Sequence, residues 1–561
     1  MSCLFADFAL QGRMFIKRNR TRHGDKEYES ILLVQGGRVP GPRPPGRPAK
    51  DEKRKTVVVH HTLANLSKLP EGLIATIARY CEAERSGKPL DALAGDGEIS
   101  IGPVFGQLGA LLALARELGL EAALGSSREA KLALFLVLAR VAHRGSRLSA
   151  VRWAEDHAVA AALGLEGFDE DDLYGALDWL DGQQARVEAA LAKGRALGTV
   201  FLYDVSSSYL EGQKNELAAS GYNRDGKRYK KQIVLGLLTD ATGEPLSVQV
   251  YEGNTSDPTT VTDQIQKLAE RFEAKDVVLV GDRGMIRGPG KELLAARGFH
   301  YISSLTDPEI RALLAKGTLQ ANLFDEAVTE VESEGVRYIL RRNAAMMDRT
   351  RSRRADQLRK VQSKVDARNA LVTASERASS DVSLQRARGW LATYKLDRFV
   401  IPALDGRQVV LEIDAPAKAT VEQLDGCYVV VSDAPRTCAD AHMLWDRYGD
   451  LQKVERDFRL LKTGALEIRP LFLRKAGRTR AHAFVAMLAL RLVRALERRV
   501  APLDLTVQDA LDRLAGVRLV SMADPALGLW RLPTRFHEPV QKILHVLPAL
   551  PVPMLSRQAM G

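Results

Sequence analysis

Residues 199–207 read TVFLYDVSS, an apolar, β-branched and aromatic run with one aspartate, Asp204, inside it. Such a run forms a buried strand. A carboxylate in a buried strand is costly unless it has a partner or a metal. Working downstream, KQIVLGLLTD (231–240) and PLSVQVYEG (245–253) are two further strands joined by a turn at Ala241–Glu244. Asp257-Pro258 then opens a helix running to about Phe272, with Asp257 expected as N-cap and Pro258 at the first helical position. DVVLVGD (276–282) is a second buried strand, ending on Asp282. Residues 289–297 form a short helix, and GFHYISSL (298–305) is a fifth strand.

The order strand, strand, strand, helix, strand, helix, strand is that of an RNase H-like core, an α/β fold with a mixed sheet and helices on both faces. In that order the first and fourth strands are neighbours, so Asp204 and Asp282 come together. Taken singly, Asp204 also reads as a structural hydrogen bonder and Asp282 as a capping residue. Two carboxylates at adjacent strand ends, where sheets place ligand sites, are a stronger signal. A third carboxylate is expected on a helix after the fifth strand. Residues 439–463 read as one long helix, stopped at Gly464, and 448–462 read YGDLQKVERDFRLLK. There Tyr448, Leu451, Glu455 and Lys462 share a face. Glu455 also fits a solvated helix, paired with Arg459 four residues on. Three converging carboxylates suit hard divalent cations such as Mg²⁺ and two-metal phosphodiester chemistry.

Charge points to nucleic acid as well. The 561 residues carry a net +11. Residues 14–60 hold 12 Lys/Arg against 5 Asp/Glu, and 341–398 hold 15 against 6, so the rest of the chain is net acidic. Cations concentrated in two segments suit phosphate contact; they also suit two solvated surface stretches. GPRPPGRPAK (41–50) contains Gly46-Arg47-Pro48, which reads as a minor-groove arm around Arg47 or as a basic linker. No run approaches the ~20 apolar residues of a membrane span, and no signal pattern is visible, so a cytoplasmic protein is expected. The four cysteines are scattered, which argues against a zinc site or disulfide framework. Met14 begins MFIKRNRTRHG and is an alternative start.

Six regions are expected: a basic extended or β segment (1–69), a helical region (70–197), the first part of the core (198–305), an insertion of strands and a basic helical stretch (306–438), the second part of the core with the Glu455 helix (439–500), and a helical C-terminal region (501–561). Helices around 149–163 and 171–193 read equally as a helix-turn-helix or as part of an ordinary bundle. The 173 residues from Asp282 to Glu455 are too many for a loop and require an inserted domain.

The motifs resemble the DDE transposases of bacterial insertion sequences, in the group with a β-rich insertion and the signature Y-x2-R-x3-E-x6-K. Here it reads Tyr448-x2-Leu451-x3-Glu455-x6-Lys462, with leucine in place of arginine. LYDVSS at the first aspartate, GYNRDGKR, Q-I-V-x-G-L-L, GNTSDP and GDRGM at the second occur in the same order. The resemblance runs from about Met14 to residue 500. It implies that Asp204, Asp282 and Glu455 hold two Mg²⁺ ions, that water frees a 3′-hydroxyl at a transposon end, and that this hydroxyl attacks target DNA. Lys462 would hold a phosphate and Tyr448 the same strand. Lys453 or Arg459 would replace the missing arginine only if the helix is rotated. The helical region at 70–197 would bind transposon ends, and a homodimer is expected by analogy, since two ends are handled together. Two other readings stay open: an RNase H-like nuclease without a joining step, and a transposase-derived DNA-binding protein that has lost catalysis.

Overall fold

The computed structural model describes residues 13–23, 26–40, 56–69, 71–86, 98–193, 198–212, 214–222, 224–227, 229–463, 466, 468, 471–524, 528–534 and 536–551. The chain divides into two compact units, Met1–Leu180 with Arg491–Gly561, and Asp181–Leu490.

In the first unit, strands Arg13–His23, Lys26–Pro40 and Thr56–Asn65 form an antiparallel sheet in chain order. Helix Glu71–Ser86 packs on it through Leu73, Ile74, Ile77 and Cys81 against Met14, Ile31 and Leu66. The stretch after Met14, within the segment expected to be basic and extended or β, is a strand. Helices Gly106–Glu117 and Arg128–Ala142 are Leu/Ala-rich and buried along most of their length, as helices apolar all round must be. The helix expected over 149–163 is instead two, Arg147–Glu155 and Val159–Leu163. Between them His157 places Nδ1 2.6 Å from the Trp153 carbonyl and stacks on the Trp153 ring at 4.0 Å. The C-terminal region also departs from an all-helical reading. Arg518–Asp524 and Gly528–Pro533 form a hairpin, and the first of them pairs with Glu98–Val104. That pairing joins segments more than 400 residues apart, beyond the reach of local patterns.

The second unit is built on an eight-stranded mixed sheet. Its first strands are β1 (Val200–Tyr209), β2 (Gln232–Asp240) and β3 (Pro245–Glu252), followed by helix α1 (Asp257–Gln266), β4 (Val278–Gly281), α2 (Gly288–Ala296) and β5 (His300–Ser304). This is the element order expected from sequence. β1 to β3 are antiparallel neighbours, and β4 and β5 run parallel to β1. Phe201, Tyr203 and Val205 point to one face, where they meet Val261 and Ile265 of α1 and Leu294 of α2. By strand alternation Leu202, Asp204 and Ser206 face the other side.

The helix at 257 starts one residue earlier than expected. Ser256 occupies the N-cap position, and the Asp257 carboxylate accepts two bonds, both at 2.6 Å, from the Arg224 guanidinium. Charge-assisted bonds to both oxygens are stronger than a single capping bond, so arginine wins the carboxylate.

The insertion is only partly separate. Its strands β6 (Thr329–Ser333), β7 (Val336–Arg342) and β10 (Cys427–Ser432) extend the main sheet, in the order β6-β7-β10-β5-β4-β1-β2-β3. What stands apart is α3 (Ala344–Ala374), α4 (Ser380–Tyr394) and the two-stranded β8 (Val400–Asp405) and β9 (Gln408–Ile413). These share a core of Val361, Val365, Ala387, Leu391, Phe399 and Val400. Where one helix was expected over 439–463 there are two, α5 (Ala441–Gly449) and α6 (Leu451–Lys462). At the break Lys453 N–H bonds back three residues to the Asp450 carbonyl, and the Asp450 side chain pairs with Arg447 and Lys453. Among the described residues, no helix is long and apolar enough to cross a membrane.

Candidate catalytic carboxylates

Register brings the two aspartates together. In the parallel pair β1–β4, Tyr203 lies opposite Gly281. Asp204 and Asp282 are the next residue on each strand and therefore neighbours at one end of the β4 ladder. Asp204 is partly buried and Asp282 exposed. The Val205 N–H donates to Asp204 Oδ1 at 2.7 Å.

α6, which carries Glu455, packs against β1. Its buried stripe is Leu451, Val454, Asp457, Phe458 and Leu461. Glu455 is exposed and lies beside that stripe, not on it, so it does not share the buried face of Leu451 as the spacing led one to expect. It is nevertheless close enough to act on Asp204. Burial pushes the Asp204 carboxyl up to about 7, the Asp282 and Glu455 carboxylates push the same way, and the Val205 N–H and Arg224 oppose them. The three carboxylates thus share one electrostatic site. Among the described residues, however, no three His, Cys, Asp or Glu side chains are gathered closely enough to hold a metal ion.

The other residues singled out by sequence fall in different places. Tyr448 adjoins the carboxylates: its hydroxyl lies 3.1 Å from Asp282 Oδ1, 2.9 Å from Ser304 Oγ and 3.1 Å from the Tyr428 hydroxyl. Burial, and then Tyr428, hold that phenol well above its usual range. Lys462 Nζ donates to Ser206 Oγ at 2.6 Å and pairs with Asp225 at 3.0 Å, two residues along β1 from Asp204. Leu451, at the signature's arginine position, is buried and serves packing. Lys453 is held by Asp450 at 2.8 Å and by the Ala241 carbonyl at 2.9 Å, at the turn between β2 and β3. Arg459 is exposed on α6. Arg47 lies outside the described residues.

Two residues gain a place that sequence reasoning did not assign. Arg224 and Asp225 are adjacent in GYNRDGKR. Arg224 holds Asp257 of the GNTSDP motif and contributes to the field at Asp204, while Asp225 holds Lys462. One loop thereby links two motifs to the signature helix. The motifs were visible in the sequence, but the pairing between them was not.

Residues 195–492, more than half the chain, match the family described as the transposase DDE domain. The chain belongs to that family. Among solved structures it is similar to a piggyBac transposase synaptic complex with hairpin DNA, at 8% identity and a TM-score of 0.37, over 73% of this chain and 76% of that one. No curated protein matches the chain in sequence.

Proposed function

We propose that the protein is the transposase of an insertion sequence, with an RNase H-like catalytic core in which Asp204, Asp282 and Glu455 are the catalytic carboxylates. It would bind the element's terminal inverted repeats, cleave the DNA there and join the freed 3′-hydroxyl to target DNA. The observation that carries this reading is the register that makes Asp204, within β1, a neighbour of Asp282 at the end of β4, with Glu455 acting on the Asp204 carboxyl.

The donor set suits divalent metal. Three oxygen ligands match a hard cation, and a carboxyl raised to about 7, chiefly by burial and further by Asp282 and Glu455, is one whose charged form a cation would favour. Two Mg²⁺ ions, when bound, would activate the attacking oxygen and stabilise the leaving one. The chain's own groups do the rest. Asp204, Asp282 and Glu455 would hold the ions as carboxylates. Lys462, held beside β1 by Ser206 and Asp225, is placed to take a backbone phosphate. Tyr448 orients Asp282 through its hydroxyl. Arg224, locked by Asp257, supplies fixed positive charge near Asp204. Positioning and charge neutralisation are the main sources of rate in phosphoryl chemistry. A homodimer would hold the two ends together.

Leu451 favours a second reading, a DNA-binding protein without catalysis, because it is built into the packing where the signature carries arginine. One experiment separates the two. A plasmid carrying the DNA that flanks this gene is incubated with Mg²⁺ and either wild type or Glu455→Gln. The transposase reading expects nicking at the element's ends, lost in the variant. End binding without cutting by the wild type would support the second reading, and cutting that survives in the variant would remove Glu455 from the site.

A further inference from the structure

The insertion carries a cationic surface of its own. On α3, Arg349, Arg353, Lys360 and Lys364 follow one another at spacings of four, seven and four, so they share one face of the helix. They line two adjoining clefts bordered by Tyr394, at the end of α4. At 1.5 Å per residue the stripe is about 22 Å long, about the axial rise of six to seven base-pair steps of a duplex at ~3.4 Å each.

The same helix carries cations with structural duties, and these differ. Arg354 is bound to Asp425 at 2.8 Å and Glu422 at 3.2 Å, and Arg351 approaches Asp425 at 3.8 Å. Among the described residues, Arg349, Arg353 and Lys360 have no such carboxylate partner, and all three are exposed. Two aspartates also line the groove: Asp356 is taken by Arg359, and Asp348 stands at one end beside Arg349. Lys364 is held in place, with its ammonium 5.3 Å from the Tyr394 ring centre and 5.7 Å from that of Trp390. A cation–π contact fixes a lysine without neutralising it. A row of exposed cations at helical spacing, one of them positioned by aromatic rings, suits an anion with several charges along its length.

We propose that this groove seats the phosphate backbone of a DNA duplex at a site separate from the carboxylates, with Arg349, Arg353 and Lys360 as phosphate ligands and Lys364 held ready by the two rings. The inference rests on the DNA-processing reading above, but its test does not need catalysis. Full-length protein is titrated by fluorescence anisotropy against a short duplex of arbitrary sequence, in EDTA, from about 50 to about 200 mM salt. Wild type is compared with Arg353→Ala/Lys360→Ala and with Lys275→Ala/Lys316→Ala, which removes equal charge from exposed positions elsewhere. The groove variant should flatten the slope of log K against log salt by about two, one for each phosphate no longer neutralised, while the control keeps the wild-type slope. An unchanged slope in the groove variant, or an equal loss in the control, would overturn the proposal. So would labelled polyglutamate binding as tightly as the duplex and losing affinity in the same variant, which would point to an acidic protein partner. A protein that shows the slope change but never cuts its element ends loses the proposed function and keeps this site. One that cuts with an unchanged slope does the reverse.

Discussion

Asp204 is the residue whose environment says most about its task. An ordinary aspartate titrates near 3.8, whereas here burial, with Asp282 and Glu455 adding to it, raises the group to about 7. The folded state therefore holds this proton more tightly than the unfolded chain does. Its contribution to stability is fully present below about pH 4 and is lost as pH rises through about 7, to a maximum of about 4 kcal/mol. In metal-free protein, Asp204→Asn should thus melt above wild type at about pH 8, with the difference closing near pH 4. Mg²⁺ should raise the wild-type melting temperature and leave the variant's nearly unmoved, because a ligand stabilises only the state that binds it. Parallel melting curves for the two proteins across that pH range would refute this account of the site. Asp204 and Asp282 were legible because a charge within or closing an apolar strand stands out. Arg224 and Asp225 were not, because polar loop residues have no periodicity to mark what they face.

Glycines at two crossing points explain how separate motifs become one element of structure. The segment before Arg224 is laced to β2 by paired Ala219 and Gln232 backbone bonds at 3.2 and 3.0 Å, and to Gly253 through the Leu217 carbonyl at 3.1 Å. Gln232 Nε2 adds a bond to the Gly253 carbonyl at 2.7 Å. A Cβ on Gly221 would collide with the Gly253 carbonyl, and one on Gly253 with the carbonyls of Gln232 and Ala219. These are backbone atoms, which cannot turn aside. Gly253→Ala should cost about 2 kcal/mol or more in urea unfolding and loosen the loop that carries Arg224 and Asp225. Stability equal to wild type would show that the crossing is not tight. The break between α5 and α6 was missed for a related reason. Gly449 and Asp450 keep near-helical geometry, so the sequence reads as continuous while the hydrogen-bond ladder does not.

For the whole molecule, family membership and site geometry make one joint demand on the carboxylates. If Asp204 and Asp282 serve one centre, Asp204→Asn/Asp282→Asn should lose no more cleavage than either single substitution, since groups that act as a unit are not additive. DNA binding should be retained in all three variants, because each makes the chain more positive. A double variant with multiplied losses, read in the plasmid assay, would place the two aspartates in separate roles. The wider charge pattern has a matching division of labour. Along α3 some cations tie the insertion together through Asp425 and Glu422, and others are left facing solvent. Net charge alone could not distinguish them.

The sequence by itself determined the elements of the core and their order. Apolar runs of strand length, a proline-marked helix start and two aspartates in apolar strands are local signals, and local chemistry is enough to read them. It also determined the family, through motifs whose text survives without any structure. Tertiary structure decided what depends on partners distant in the chain. It set the register that makes Asp204 and Asp282 neighbours, and the turn of α6 that leaves Glu455 at the rim while Leu451 is buried. It gave Asp257 to Arg224 in place of its helix cap, drew three insertion strands into the main sheet, and paired Arg518–Asp524 with Glu98–Val104. Each outcome is a competition among groups far apart in sequence, and only the folded chain brings the competitors within reach of one another.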